Sequence, residues 1–325
     1  IFHFQCHANL ELEPNDTNLR YLINVEKGFE PNFDLDEGFE NYITKNPKAY
    51  ENDMIHLQKW AISEKSNYGS DYQKVFRDAE MVCCRGTLTD VARTPYYMDD
   101  PWRIIAVRHD GIIYLHNCGI IDGNTFVPPP ANSDSAHFTY WGHSFQKIMT
   151  SSDASLAQAG IFDHSSAVDC RETYNAIHRA DIFTAEGDRV KLAYSSEIKA
   201  VNGSGEYIEF KTQFARVTDI FYRYKSWFWW LQSQFASIDK IFTGIRDGQG
   251  IVRKVQVLNK KFLYSRSERR CDVVMNFLAT VLAEVKERCK DTVQIRYSPE
   301  TGRVHFEEAT RNTDFLIPTF INHLA

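Results

Sequence analysis

From residue 81 onward, tight-turn signals recur between short runs of alternating or apolar residues, and that rhythm constrains the fold more than any other feature of the chain. Runs at 102–108 and 111–117 flank His109-Asp110-Gly111, and runs at 189–199 and 205–214 flank Asn202-Gly203-Ser204-Gly205. The run 241–258 turns at Asp247-Gly248-Gln249-Gly250, and a closing hairpin turns at Pro299-Glu300-Thr301-Gly302. Asn, Asp and Gly accept the left-handed backbone that two-residue hairpin turns require. Hairpins outnumber strand–helix–strand units. The pattern disfavours a doubly wound parallel sheet and predicts an α+β body of mixed or antiparallel sheet with helices outside.

Further strands are expected at 81–89 and 181–185, and helices at about 53–65, 140–150, 165–179 and 268–288. The stretch 217–235 is strongly aromatic and apolar on more than one side, which predicts a largely buried helix. Pro128-Pro129-Pro130 and the polar run after it are expected to form a surface loop. No internal repeat or low-complexity linker divides the chain. The expectation is one domain over 1–325, in which 1–80 is a polar covering segment and 81–325 the core.

At 325 residues, with 43% hydrophobic residues, the chain can bury a sizeable core. A formal net charge of -6 gives no global attraction to nucleic acid or anionic membrane, although a local basic pocket is compatible with it. Seven scattered cysteines without a CxxC pair suit a reducing compartment and argue against structural zinc. No apolar run reaches the roughly 20 residues that span a bilayer. Nucleus or cytoplasm is therefore the expected location.

Glu197-Ile198-Lys199 and Glu209-Phe210-Lys211 carry the chemical signal. Residues two apart on a strand share a face, so Glu197 pairs with Lys199 and Glu209 with Lys211. Should the two strands pair through 202–205, all four side chains converge, with the Phe210 ring in the core. Acids so placed can hold Mg²⁺ or Mn²⁺, which activate water, while a lysine neutralises phosphoryl charge. Glu-x-Lys is equally common on the solvated face of an edge strand. Arg85, expected within an apolar strand, needs a carboxylate or a phosphate as partner. Tyr222-Arg223-Tyr224-Lys225, with Gln232 two turns on, fits a phosphate chain and stacked base; buried aromatics with snorkelling cations fit it too.

Taken as an ordered set, several stretches resemble the DXO-type family of decapping exoribonucleases, which act on RNA 5′ ends. They are Cys84-Arg85-Gly86-Thr87-Leu88-Thr89, Thr94-Pro95-Tyr96, Tyr140-Trp141-Gly142-His143-Ser144-Phe145-Gln146, Ser196-Glu197-Ile198-Lys199, Tyr207-Ile208-Glu209-Phe210-Lys211-Thr212, Tyr222-Arg223-Tyr224-Lys225, Trp229-Trp230-Leu231-Gln232-Ser233 and Met275-Asn276-Phe277. The resemblance implies two packed mixed β-sheets decorated by helices, with the active-site cleft between them. It also implies divalent-cation chemistry on RNA 5′ ends, and in some members a protein partner in RNA decay. Arg85 matches the arginine that contacts the substrate end, and Gln232 a substrate-side glutamine. Arg223 and Lys225 add positive charge for substrate. Glu197, Glu209, Lys211 and the Phe210 carbonyl match the catalytic and metal positions.

Two family carboxylates are exchanged. The acid of the Gly-x-x-x-Glu motif is Gln146, and the aspartate two residues after Glu197 is Lys199. Like charges about 4 Å apart repel by about 4 kcal/mol at an effective dielectric of 20, and a divalent ion doubles that. Lys199 can stay neutral, or take the cation's place and pair with Glu197 or Glu209. Weak or absent metal binding and lost or strongly reduced hydrolysis are expected, with binding of an RNA 5′ end or nucleotide, or a regulatory role, retained. The competing readings are an active enzyme with one cation on Glu197, Glu209 and Phe210, and a cleft kept only as packing.

Overall fold

The computed structural model describes residues 2–7, 11–13, 16–25, 29–45, 52–69, 71–118, 134–162, 167–215, 217–309 and 313–322. Pro128-Pro129-Pro130 lies outside them. Among the described residues, sixteen strands form two mixed sheets. In chain order these are β1 (Phe2–Cys6), β2 (Leu12–Glu13), β3 (Tyr21–Leu22), β4 (Phe33–Asp34), β5 (Met81–Cys84), β6 (Trp102–His109), β7 (Ile112–Asn117) and β8 (Thr150–Ser151). The rest are β9 (Thr173–Phe183), β10 (Arg189–Glu197), β11 (Ala200–Val201), β12 (Tyr207–Phe214), β13 (Lys240–Arg246), β14 (Ile251–Asn259), β15 (Thr292–Ser298) and β16 (Arg303–Glu307). The nine-stranded sheet runs β16-β15-β6-β7-β5-β10-β9-β1-β2, and the seven-stranded sheet β4-β14-β13-β12-β11-β3-β8.

The central strands of the larger sheet are buried on both faces, and side-chain alternation sorts them into two cores. Met81, Cys83, Ile104, Ala106, Leu192 and Tyr194 face helices α2 (Arg85–Arg93), α5 (Ser226–Phe235) and α6 (Lys260–Arg288). Val82, Ile105, Ile112, Tyr114 and Ala193 face the opposite side, under α1 (Ile55–Ser63). The smaller sheet packs Ile208, Phe210 and Val252 beneath Tyr140, Trp141 and Phe145 of α3 (Asp134–Ile148). Two glycines permit that approach. A Cβ on Gly244 would lie 2.9 Å from the Phe145 ring, and one on Gly250, at φ +84, 2.8 Å from Trp141. At the seam between the sheets, Tyr174, Ala176 and Ile198 pack together with Leu19 and Tyr207.

Four expectations are corrected. The strand from 81 stops at Cys84, and Arg85 opens a helix, because Leu88, Val91 and Ala92 recur at helical spacing on the core side. The expected helix at 165–179 is β9 from Thr173 onward, whose period-two burial outweighs the approximate spacing of Val168, Tyr174 and Ile177; 163–166 lie outside the described residues. The aromatic helix is two helices, α4 (Asp219–Tyr224) and α5, which meet at Lys225. Finally, the strand ending at Glu197 does not pair with β12. It belongs to the larger sheet, and the turn at 202–205 joins β11 to β12 in the smaller one.

The remaining hairpins hold. Asp110 and Gly111, both at positive φ, turn β6 into β7, and β13–β14 and β15–β16 pair antiparallel as expected. Asn259 caps a helical stretch from Lys260 that breaks at Ser267 (φ -144), and the helix expected at 268–288 is the segment beyond that kink. Residues before 80 do more than cover the body: β1 and β2 extend the larger sheet, and β3 and β4 join the smaller. Among the described residues no helix is long and apolar enough to cross a membrane.

Candidate active site

Glu197 is the last residue of β10 in the larger sheet, and Ala200 is the first of β11 in the smaller. Glu197-Ile198-Lys199 is thus the crossing between the sheets. Ile198 anchors it, buried at the seam with its N–H donating to the Tyr174 carbonyl at 2.8 Å. On β12, Ile208 and Phe210 face α3, so alternation turns Glu209 and Lys211 to the opposite face. Arg85 reaches the same place from the first residue of α2. The four charged positions converge as the sequence suggested, but they do so across two sheets and not along one hairpin.

Glu197 is clamped. Lys199 Nζ donates to its Oε1 at 2.6 Å, and Lys45 Nζ to its Oε2 at 2.8 Å. Burial penalises the Glu197 charge, yet Lys199 and then Lys45 outweigh that penalty and hold the carboxyl well below the usual range. Gln146, on α3, lines a cavity with Glu197, and its amide donates to the Lys199 carbonyl at 3.4 Å. Glu209 is almost fully buried, accepts the Phe210 N–H at 3.1 Å, and has Arg85 Nη1 4.0 Å away. Burial again opposes its ionisation, but Lys211, Arg85 and Lys199 lower its pKa. Lys211 is pushed below its ordinary value by burial, aided by Arg85 and Lys199 and opposed by Glu209. Arg85 Nη1 is buried and makes no hydrogen bond among the described residues.

Two cavities open beside Glu197. One, of about 310 Å³, is lined by Arg20, His143, Gln146, Asp169 and Glu172; the other, of about 230 Å³, by Lys45, His56, Arg85 and Asn175. His143 and His56 are both held neutral, at pKa about 4, by burial with nearby lysine charge. Lys45 and His143 are site residues that the sequence reading did not single out. His143 lies within the motif from Tyr140 to Gln146. Lys45 sits in a polar segment with no motif, brought in by the isolated bridge between Ile43 and Asp169.

The substrate-side expectations divide. Arg85 is in the cleft. Gln232 is half-buried on α5, which packs against α2, but among the described residues it makes no hydrogen bond to Arg85, Glu197 or Glu209. Arg223 and Lys225 are exposed around the α4–α5 junction and line neither cavity.

The donor set does not fit a divalent cation. Such a cation takes several hard oxygens, whereas here one carboxylate has an ammonium on each oxygen and the other faces a guanidinium. Among the described residues no group of three or more His, Cys, Asp or Glu side chains is placed to hold a metal.

Comparison with known proteins matches this architecture. The chain is 30% identical over 278 residues to decapping nuclease dom-3 of Caenorhabditis elegans, covering 83% of this chain and 68% of that protein. It is 23% identical over 300 residues to the human decapping and exoribonuclease protein, covering 87% and 70%. A crystal structure of Scheffersomyces stipitis Rai1 in complex with (3'-NADP)+ and calcium ion superposes with a TM-score of 0.81 over 99% of this chain and 94% of that one, at 16% identity. Candida albicans Rai1 in complex with pU5-Mn2+ superposes at 0.77 over the same shares, at 17% identity. The family model described as RAI1 like PD-(D/E)XK nuclease matches residues 1–321, and the chain belongs to that family of decapping nucleases.

Proposed function

We propose that this chain binds RNA 5′ ends or nucleotides in the cleft and has lost, or strongly reduced, the family's hydrolysis. The observation that carries the proposal is Glu197 held between Lys199 at 2.6 Å and Lys45 at 2.8 Å. An ammonium at that distance supplies the positive charge a cation would bring, but it carries no water and cannot lower the pKa of one. Gln146 removes a second negative charge and cannot take a proton. Weak divalent-cation binding follows from both exchanges.

What remains suits a phosphorylated end. Arg85, Lys199, Lys211 and Lys45 gather positive charge, and the unbonded Arg85 Nη1 awaits an acceptor. The ligands of the two Rai1 structures, (3'-NADP)+ and pU5, support RNA and dinucleotide ends as the class to test. Nucleus or cytoplasm, and a regulatory role in RNA decay with a protein partner, belong to the same proposal. The second reading, an active enzyme with one cation, draws on Glu209, whose nearest cationic atom is 4.0 Å away.

The deciding experiment presents RNAs with 5′-monophosphate, 5′-triphosphate, unmethylated-cap and nicotinamide-nucleotide ends, with Mg²⁺ or Mn²⁺, to the wild type and to a Glu197→Gln/Glu209→Gln protein. Binding that weakens with salt and with Arg85→Ala, without turnover, is expected. Turnover that disappears in the double variant would establish the active enzyme instead. Cleft variants that alter stability but not affinity would reduce the cleft to packing.

A further inference from the structure

On the side of α2 remote from Arg85, a surface combines exposed aromatic rings with basic side chains. Arg270 stacks between Tyr96 and Tyr224, 4.9 and 5.4 Å from the two ring centres. Beside it, Arg266 lies 5.2 Å over Tyr222, and Phe262 meets Tyr222 edge-on at 5.6 Å. Tyr224 is 54% and Phe262 48% exposed, so these rings offer area to a partner as well as to their own cations. The stretches 219–225 and 260–272 hold seven basic and three acidic residues, in a chain of net charge -6. One of those acids, Asp219, already faces Arg266 at 3.4 Å, and another, Asp272, accepts from Tyr264 at 2.9 Å.

Basic side chains alone describe a solvated helix face, and exposed rings alone describe an apolar contact. Interleaved, they match a ligand that carries flat aromatic groups on a polyanionic backbone. That is single-stranded nucleic acid, whose bases are free to stack, whereas a duplex hides them. The position agrees. Helix α2 starts in the cleft at Arg85 and leads into the Thr94–Tyr96 turn, where Tyr96 packs on Trp227 at 5.0 Å. Nine helical residues span roughly 13 Å, a distance that at most about four nucleotides cover at the stacked rise of about 3.4 Å, and fewer in an extended strand.

We infer that this surface is a second, sequence-tolerant docking site for the body of a single-stranded RNA whose 5′ end occupies the cleft. The inference rests on the cleft reading for the origin of the strand, but its surface can be tested apart from it. It also gives Arg223 and Lys225 a place: they are exposed beside Tyr224, at the surface and away from the carboxylates.

The test measures fluorescence anisotropy, in EDTA, with 5′-phosphorylated oligoadenylates: pApA, and a strand of about twelve nucleotides. The longer strand should bind at least about ten-fold tighter, since one base–aromatic stack is worth about that factor. Arg266→Gln/Arg269→Gln should remove most of the gain, flatten the log K against log salt slope by about 1.4, and leave pApA binding intact. Tyr224→Leu should weaken the adenylate strand but not an abasic strand of equal length. These residues are exposed, and unchanged thermal unfolding verifies that the variants fold.

Equal affinity for the two lengths, or a length gain that ignores all these substitutions, would overturn the inference while sparing the cleft reading. Polyglutamate bound more tightly than the RNA strand, and lost on Arg266→Gln/Arg269→Gln, would overturn it in favour of an acidic protein partner. If the long strand binds through this surface but pApA does not bind at all, the surface stands and the cleft reading falls. If neither binds, both fall.

Discussion

Replacing Lys199 by aspartate and Gln146 by glutamate should turn the cleft into a cation site. The ammonium of Lys199 lies 2.6 Å from Glu197 Oε1, close to the 2.3–2.6 Å at which calcium meets a carboxylate oxygen. A unit charge about 4 Å from a divalent ion contributes about 8 kcal/mol at an effective dielectric of 20, so reversing its sign is a change of about 16 kcal/mol before solvent and rearrangement intervene. Lys45 stays on the other oxygen, and the cleft is partly open to water, so most of this is screened. A surviving quarter, about 4 kcal/mol, is still nearly a thousand-fold in Kd. Calorimetric titration with Mn²⁺, supported by the electron spin resonance of free Mn²⁺, compares wild type, Lys199→Met and the double variant. The expected order is weakest for wild type, intermediate for Lys199→Met and tightest for the double variant. Wild-type protein that binds Mn²⁺ as tightly as the double variant would refute the reasoning, because Lys199 would then not govern the site.

Other outcomes follow from buried groups elsewhere. His116 is buried, which disfavours its charge, but its 2.6 Å hydrogen bond to Asp53 raises its pKa to about 9. The stabilisation, about 3 kcal/mol, is complete below pH 6.5 and is lost as pH rises through about 9; urea midpoints measured between those values should fall, and Asp53→Asn should abolish that dependence. His56 and His143 act in the opposite sense. With pKa values near 4 they are neutral in the fold, so acidification from about 6.5 towards 4 should cost stability, and less so in a His143→Gln protein. Gly244→Ala should cost about 1–3 kcal/mol by pushing Phe145, and Gln146 beside it, off the smaller sheet; thermal unfolding reads the loss.

Much of the fold was legible because its signals are local. The turns at Asp110-Gly111, 247–250 and 299–302 each depend on a few residues with left-handed or turn preferences, and each hairpin formed where those residues sit. What the sequence did not reveal was which strands meet. The residues flanking 202–205 alternate correctly for a hairpin, but Ile198 packs at the seam and diverts the chain from one sheet to the other. Thr87, Leu88 and Thr89 suit a strand, and locally they predict one through Arg85. The burial of Leu88, Val91 and Ala92 against α5 and α6 decided for helix instead. Lys45 was invisible because nothing local marks a lysine as the partner of a carboxylate 152 residues away.

The crossing at Glu197-Ile198-Lys199 bears on how this protein depends on its surroundings. A cleft built from several acids repels itself until ions arrive from solution, so its folded population tracks ion supply through mass action. On the proposed reading the counter-ion is encoded in the chain, two residues along from the carboxylate it serves, and it travels with every copy of the polypeptide. The same reading has the junction of the two sheets complete without an ion. A chelator should leave the melting temperature where it is, and fluctuations in divalent-ion supply should leave the shape of the cleft unchanged.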